Sequence, residues 1–226
     1  MTAPPTALAC LTSFLSTLTF CLAFGFISVQ AFRLWLPAAH THKGAFFRSS
    51  TIAMSNAQPP TIVSDVVTDL SRAGAIKSAT GEAASIASLQ GKSVALYFAA
   101  GWCPMCQSFT PVLRSFYQRV NTDGQKIEVI FVSSDGDNAS QAAHMEASHG
   151  PWLRIDYDDP LTDKLKRQHG VWARRESHKF EGMTRRAGVP GVVVIGSDGH
   201  ELQFMDTERK GGGALDQWDF EHKLWE

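Results

Sequence analysis

Four stretches of the chain carry dense apolar runs or end in turn residues, and they predict a sheet. Val94-Ala95-Leu96-Tyr97-Phe98 lies between Gly91-Lys92 and Gly101. An apolar run this short, rich in strand formers, predicts a strand buried on both faces. Ile127 to Val132 repeats the pattern, and Gly191-Val192-Val193-Val194-Ile195 leads into a third strand. Ser197-Asp198-Gly199 then turns the chain into Glu201 to Phe204, its hairpin partner.

Helical spacing fills the gaps. After Cys103, residues Phe109, Val112, Leu113, Phe116, Tyr117 and Val120 recur on one face. Asn138 is placed to cap a second helix running through Glu146. Leu161 to His169 predicts a third, with Leu161 and Leu165 together. From Ala214 onward, Leu215, Trp218, His222 and Trp225 predict a terminal helix on the sheet, with Gly211-Gly212-Gly213 as a hinge before it. The order strand, helix, strand, helix, helix, hairpin, helix opens with a βαβ unit, which is right-handed by default and needs helices on both faces. The class is α/β, with no internal repeat.

The first 64 residues differ in kind. Thr2 to Phe32 carries no charge, and its centre is dominated by Leu, Phe, Ala and Thr. A secretory apolar core takes about 7–15 residues and a membrane span about 20, and this segment lies between. Its Thr and Ser content, and the small-x-small pattern of Val29-Gln30-Ala31, favour a cleaved signal over residues 1–31. A retained anchor is the alternative, and only then is a membrane a partner. Phe32 to Ser64 is acid-free, contains Arg33, Lys43 and Arg48, and is dotted with Ser and Thr, as transit peptides are. A signal followed by a transit-like stretch that begins on Phe resembles the bipartite leaders of algae with complex plastids, which implies a plastid location. A disordered spacer in a secreted or ER protein is the other reading. All 22 acidic residues lie from Asp65 onward, so the folded domain is expected over 65–226.

With 226 residues, 44% of them hydrophobic, the chain can build one full core plus an additional segment. A net charge of -1 offers no support for nucleic acid as a partner. Of four cysteines, Cys10 and Cys21 sit in the leader, and Cys103 and Cys106 stand together in the body.

Trp102-Cys103-Pro104-Met105-Cys106 follows a buried strand and opens a helix. That helix offers unpaired N–H groups and a positive dipole end, so a thiolate at Cys103 is stabilised and nucleophilic. Pro104 suits the first turn, where its missing N–H is no loss. Cys106, on the same helical face and more shielded, is the expected resolving thiol. Half of a zinc site is a competing reading, but no second Cys pair or spaced Cys/His set completes four ligands. A redox-silent motif on a binding module is another. No metal or organic cofactor is implied.

Gly91-Lys92-Ser93-Val94-Ala95-Leu96-Tyr97-Phe98, the redox motif, and Phe109-Thr110-Pro111-Val112-Leu113 together resemble the tryparedoxin/nucleoredoxin branch of thioredoxin-like proteins. Val132-Ser133-Ser134-Asp135 and Pro151-Trp152 match that branch as well. The resemblance implies a thioredoxin fold, with a central mixed sheet flanked by helices on both faces. It also implies that Val189-Pro190 is a cis-proline loop facing the redox pair, which would present backbone groups of Val189 to an extended substrate. Trp102 would pack beside the nucleophile. Three departures stand out. Met105 and Gln107 replace the proline and arginine usual there. Tyr97 occupies the place of the buried acid of thioredoxins proper, which leaves no obvious carboxylate base for Cys106. Finally, Val171 to Ala187 looks inserted before the cis-proline strand, and Lys164 to Arg186 holds eight Lys or Arg against Glu176 and Glu181. That insertion is expected as a solvated basic loop, or as a docking patch for an acidic partner.

The expected activity is reduction of protein disulfides, supplied by an upstream thiol reductant or reductase. Its alternatives are a binding module gated by redox state, and an oxidase or isomerase of a secretory lumen.

Overall fold

The computed structural model describes residues 62–226. The expected signal over 1–31, nearly all of the expected spacer over 32–64, and Cys10 and Cys21 lie outside the described residues.

Strands β1 (Ser93–Ala99), β2 (Ile127–Ser133), β3 (Leu153–Arg154), β4 (Gly191–Ile195) and β5 (Glu201–Met205) form one mixed sheet ordered β3-β2-β1-β4-β5. The β1–β2 and β2–β3 pairs are parallel, and the β1–β4 and β4–β5 pairs antiparallel. Every residue of β1, β2 and β4 is buried. This is why these strands are apolar without alternation: helices cover both faces.

Adjacent β1 residues point to opposite faces. Tyr97 meets Phe109 of helix α2 (Pro104–Val120), with ring centroids 5.9 Å apart. Phe98 meets His169 of helix α4 (Pro160–His169) on the other side, at 6.3 Å. The βαβ unit, the hairpin and the thioredoxin fold are therefore all present.

Four local expectations need correction. A helix not foreseen, α1 (Ile62–Ser71), begins within the expected spacer. Its Val66 and Leu70 are buried, and its Asp69 pairs with Lys164 of α4 at 2.6 Å. Helix α3 (Asn138–Ser148) is capped by Asp137, not Asn138, because the Asp137 carboxylate accepts the Ser140 N–H at 2.7 Å. The terminal helix is a 3-10 segment, Gly211–Gln217, with the three glycines inside it. Glycine is a poor helix former, and the tail packs through its tryptophans instead. Trp218 stacks on Phe116 at 5.6 Å and donates to Ser93 Oγ at 2.9 Å, while Trp225 exchanges backbone hydrogen bonds with Gly91 and Lys92.

The fourth concerns the insertion, which is no solvated loop. It contains a 3-10 helix, Arg174–Phe180, and buries Trp172, Glu176 and Phe180. The Trp172 and Phe180 rings lie 4.6 Å apart, and a bridge between Val171 and Ala187 closes its base. Its basic excess is a local property of the sequence that says nothing about where the few apolar residues turn.

Candidate active site

Where β1 ends, Gly101 and Trp102 turn the chain and Cys103 becomes the N-cap of α2, with Pro104 in the first helical turn. Cys103 Sγ accepts the Cys106 N–H at 3.3 Å. The sulfur therefore sits at the positive end of the helix, among donors that the helix itself leaves unpaired. Its thiol donates to the Val189 carbonyl at 3.5 Å, and the Val189–Pro190 bond is cis. Both thiols are free.

Trp102, Cys103, Pro104, Cys106, Val189 and Pro190 thus come together around one surface. Exposure departs from expectation, because Cys103 is only 6% exposed and Cys106 not at all. Burial, reinforced by the hydrogen bond with Cys103, raises the Cys106 thiol far above its ordinary range.

The surroundings differ on each side of the pair. Trp102 is half-exposed and held by its Nε1–H, which donates to the Ser134 carbonyl at 2.9 Å. Met105 and Val112 are exposed on the side of Pro190. Gln107, at the position usually held by arginine, donates to the Gly101 carbonyl at 2.6 Å and braces the loop from within the helix. A cleft of about 570 Å³ opens next to Cys103, between Trp102 and Val189. The cis-proline loop is clamped from behind by helix α5 (Thr207–Lys210). Thr207 Oγ1 donates to the Pro190 carbonyl at 2.7 Å, and Glu208 accepts the Gly188 N–H at 2.7 Å.

Sequence reasoning missed the group beneath the motif. Asp135, just past β2, is buried, and one carboxylate oxygen accepts the Gly101 N–H at 2.7 Å. The other accepts Ser133 Oγ at 2.6 Å and meets His144 Nδ1 at 3.3 Å. His144 Nε2 faces His149 Nε2 at 3.3 Å, and His149 Nδ1 takes the Trp152 indole N–H at 3.0 Å. Indole only donates, so the chain has one direction. Trp152 donates to His149, His149 to His144, and His144 to Asp135, with both imidazoles neutral. Burial, and then His144, push the His149 imidazole down to about 3. For Asp135, burial acts upward, but hydrogen bonds from His144, Ser133 and the Gly101 amide outweigh it and hold the carboxyl below its usual range. A carboxylate is therefore present near the pair after all, supplied by the end of β2 rather than by β1. Burial is the main cause that raises both Cys106 and Tyr97, and the negative field of Asp135 adds to it. The signal available in the sequence was Ser133-Ser134-Asp135 at a strand end; the histidines, nine and fourteen residues further on, show no ligand spacing.

Tyr97 itself is engaged otherwise. Thr110 spends its hydroxyl proton on the Cys106 carbonyl at 2.7 Å, so Tyr97 must donate to Thr110 Oγ1 at 2.8 Å. The Phe109-Thr110-Pro111 segment thereby ties β1 to the carbonyl of Cys106.

A family model described as thioredoxin-like matches residues 91–201. Human nucleoredoxin is 37% identical over 131 residues, which is 58% of this chain and 26% of that one. A probable nucleoredoxin 3 from rice (Oryza sativa subsp. japonica) is 28% identical over 163 residues, covering 66% of this chain and 34% of its own. The chain thus spans about a quarter to a third of these relatives' length. Among solved structures, tryparedoxin II from C. fasciculata superposes with a TM-score of 0.51 at 21% identity, covering 71% of this chain and 94% of that one, a likeness of fold alone. Cys103 and Cys106, the Phe109-Thr110-Pro111 segment and the cis-proline loop all fall within the matched span, and the chain belongs to the thioredoxin-like family, with nucleoredoxins among the proteins it is similar to.

Proposed function

We propose that this chain reduces protein disulfides through a dithiol–disulfide cycle of Cys103 and Cys106. The observation that carries the reading is the seat of Cys103 Sγ, between the Cys106 N–H and the Val189 carbonyl of the cis-proline loop. A nucleophile held there has helix donors behind it and a backbone edge beside it for an incoming strand.

In the first step the Cys103 thiolate attacks one sulfur of the substrate disulfide. A Cys103–substrate bond forms, the substrate S–S bond breaks, and the departing thiolate takes a proton. In the second, Cys106 gives up its proton and attacks Cys103 Sγ, expelling the other substrate sulfur. Two electrons pass to the substrate, and a Cys103–Cys106 disulfide remains for an upstream thiol reductant or reductase to reopen. Burial of Cys106 keeps it protonated until the mixed disulfide forms, which delays the second step until it is useful.

Turnover of a disulfide-bonded protein by the full chain, with a small dithiol as reductant, tests this directly. Cys103→Ser should abolish turnover, and Cys106→Ser should accumulate a mixed disulfide. Unchanged turnover in Cys103→Ser would refute the reading. A reduction potential near -270 mV fits a reductase, whereas one near about -180 mV would reassign the pair to oxidation or isomerisation.

A further inference from the structure

We propose that the inserted segment makes the cleft beside Cys103 a recognition site for acidic residues flanking the target cysteine of a protein disulfide. The proposal rests on the reductase reading above and adds the charge class of its substrate.

The basic residues of this region have sharply different surroundings. Lys166 is fully buried and spends its charge on Glu176 at 2.6 Å. Lys164 pairs with Asp69, Lys179 faces Asp163, Arg186 pairs with Glu201 at 2.7 Å, and Arg167 lies over the Phe180 ring. Arg174, Arg175 and Arg185 remain, and all three line the cleft with Trp102, Cys103 and Val189. The one acid of the 3-10 helix, Glu176, points inward, where Ser134 Oγ and the Ala173 N–H occupy its second oxygen. Glu208 is the only carboxylate lining the cleft, and the Gly188 N–H already holds it.

The three guanidinium groups keep donors available. The guanidinium carbon of Arg175 sits over the Trp102 ring, 3.9 Å from its centroid. Stacking uses the face of a guanidinium and leaves its in-plane N–H fork free, the geometry that grips a carboxylate with two hydrogen bonds. Arg185 spends one nitrogen on the Trp172 carbonyl at 3.3 Å. Arg174 is exposed, with no side-chain partner among the described residues. Three cations against one engaged carboxylate, in a walled cleft at the nucleophile, attract anions.

Protein is the better occupant than a small acidic thiol. Past Pro190 the surface continues into a second groove of about 370 Å³, lined by Met105, Phe109 and Val112. A chain segment can lie along both, with its cysteine at Cys103, its acidic side in the arginine cleft and its apolar side over Met105. A small thiol fills only one.

The test compares three peptide disulfides, identical except for Asp, Ser or Lys beside the cysteines, with the full chain, Arg174→Glu and Lys126→Glu. Lys126 precedes β2, at the end of the sheet remote from Cys103, and carries the same change of net charge. The wild type should show kcat/KM about tenfold higher for the Asp than the Lys peptide, narrowing with salt. Arg174→Glu should level or invert that ratio, while Lys126→Glu keeps it. Calorimetric binding of the same peptides with Ser in place of Cys reads the cleft without turnover. Charge-selective binding with no turnover of any peptide would sustain this proposal and sink the reductase reading. Turnover and binding indifferent to peptide charge would overturn the proposal alone. So would an Arg174-dependent preference for glutathione disulfide over all three peptides, which would assign the arginines to a small thiol.

Discussion

Two regions flank the Cys103–Cys106 pair, and their electrostatics are opposite. Beneath it lies a buried array in which neutral imidazoles deliver hydrogen bonds to the Asp135 carboxylate. Above it stands a partly exposed rim of arginines borne by the insertion. Hydrogen bonds in a low-dielectric interior are strong and expensive to leave incomplete, so the lower region should govern stability and add to the upward push that burial exerts on Cys106. Charges at the surface are screened and hydrated, so the rim should govern which partners arrive. One motif is thus divided between a side that sets its thiols and a side that sets its company.

The largest effect should come from the residue that joins the two. Glu176 accepts from Lys166 of α4 and from Ser134, whose carbonyl also holds Trp102. Burial presses the Lys166 ammonium toward neutrality, and Glu176 opposes this. Glu176→Ala strands that ammonium in the core and should destabilise the protein by about 3–5 kcal/mol in denaturant unfolding. Replacing both partners with apolar residues, Glu176→Leu with Lys166→Met, should recover most of the loss. A single-variant loss below about 1 kcal/mol would mean the rim is fastened elsewhere.

Asp135→Asn comes next, because it removes the charge that the lower region is built around. Hydrogen bonds to a buried charged group contribute more than neutral ones, and a loss of about 1.5–3 kcal/mol is expected. The same change removes an anionic field that helps to raise Cys106. In a Cys103→Ser background, the pH profile of Cys106 alkylation should therefore move downward. Destabilisation without that movement would reduce Asp135 to a brace for Gly101.

These regions were not equally legible in the sequence. The run Val94 to Phe98, the Cys103–Cys106 spacing at a helix start and the hairpin at Ser197-Asp198-Gly199 are local signals, and the structure follows them. The cis Val189–Pro190 loop came from family resemblance rather than from any period. Asp135, His144 and His149 meet only because α3 returns over the end of β2, a tertiary event that leaves no spacing to detect. The insertion misled for a related reason. Trp172, Glu176 and Phe180 are three inward-facing residues in a basic stretch, and composition averages them away. Helix α1 was lost at the edge of a Ser/Thr-rich segment, where two apolar residues, Val66 and Leu70, carry its packing.

The effect that is smallest per pH unit is the most specific to the lower region, and it is a slope rather than a step. His149 has an ordinary value of 6.5 and a folded one of about 3. Below about 6.5 the unfolded chain takes up a proton that the folded protein refuses, because His149 Nδ1 is already occupied by the Trp152 N–H. Stability is therefore full above that pH and falls as pH drops toward 3, by up to about 1.4 kcal/mol per pH unit. His149→Gln abolishes the titration while leaving a polar side chain between Trp152 and His144. It should be less stable than wild type near neutrality, yet lose less on acidification, so the two curves converge as pH falls. Denaturant unfolding at a series of pH values reads both slopes. Parallel curves would mean that the folded protein protonates His149 as readily as the unfolded chain does, which would break the Trp152 hydrogen bond to Nδ1 and remove the argument that the array holds both imidazoles neutral.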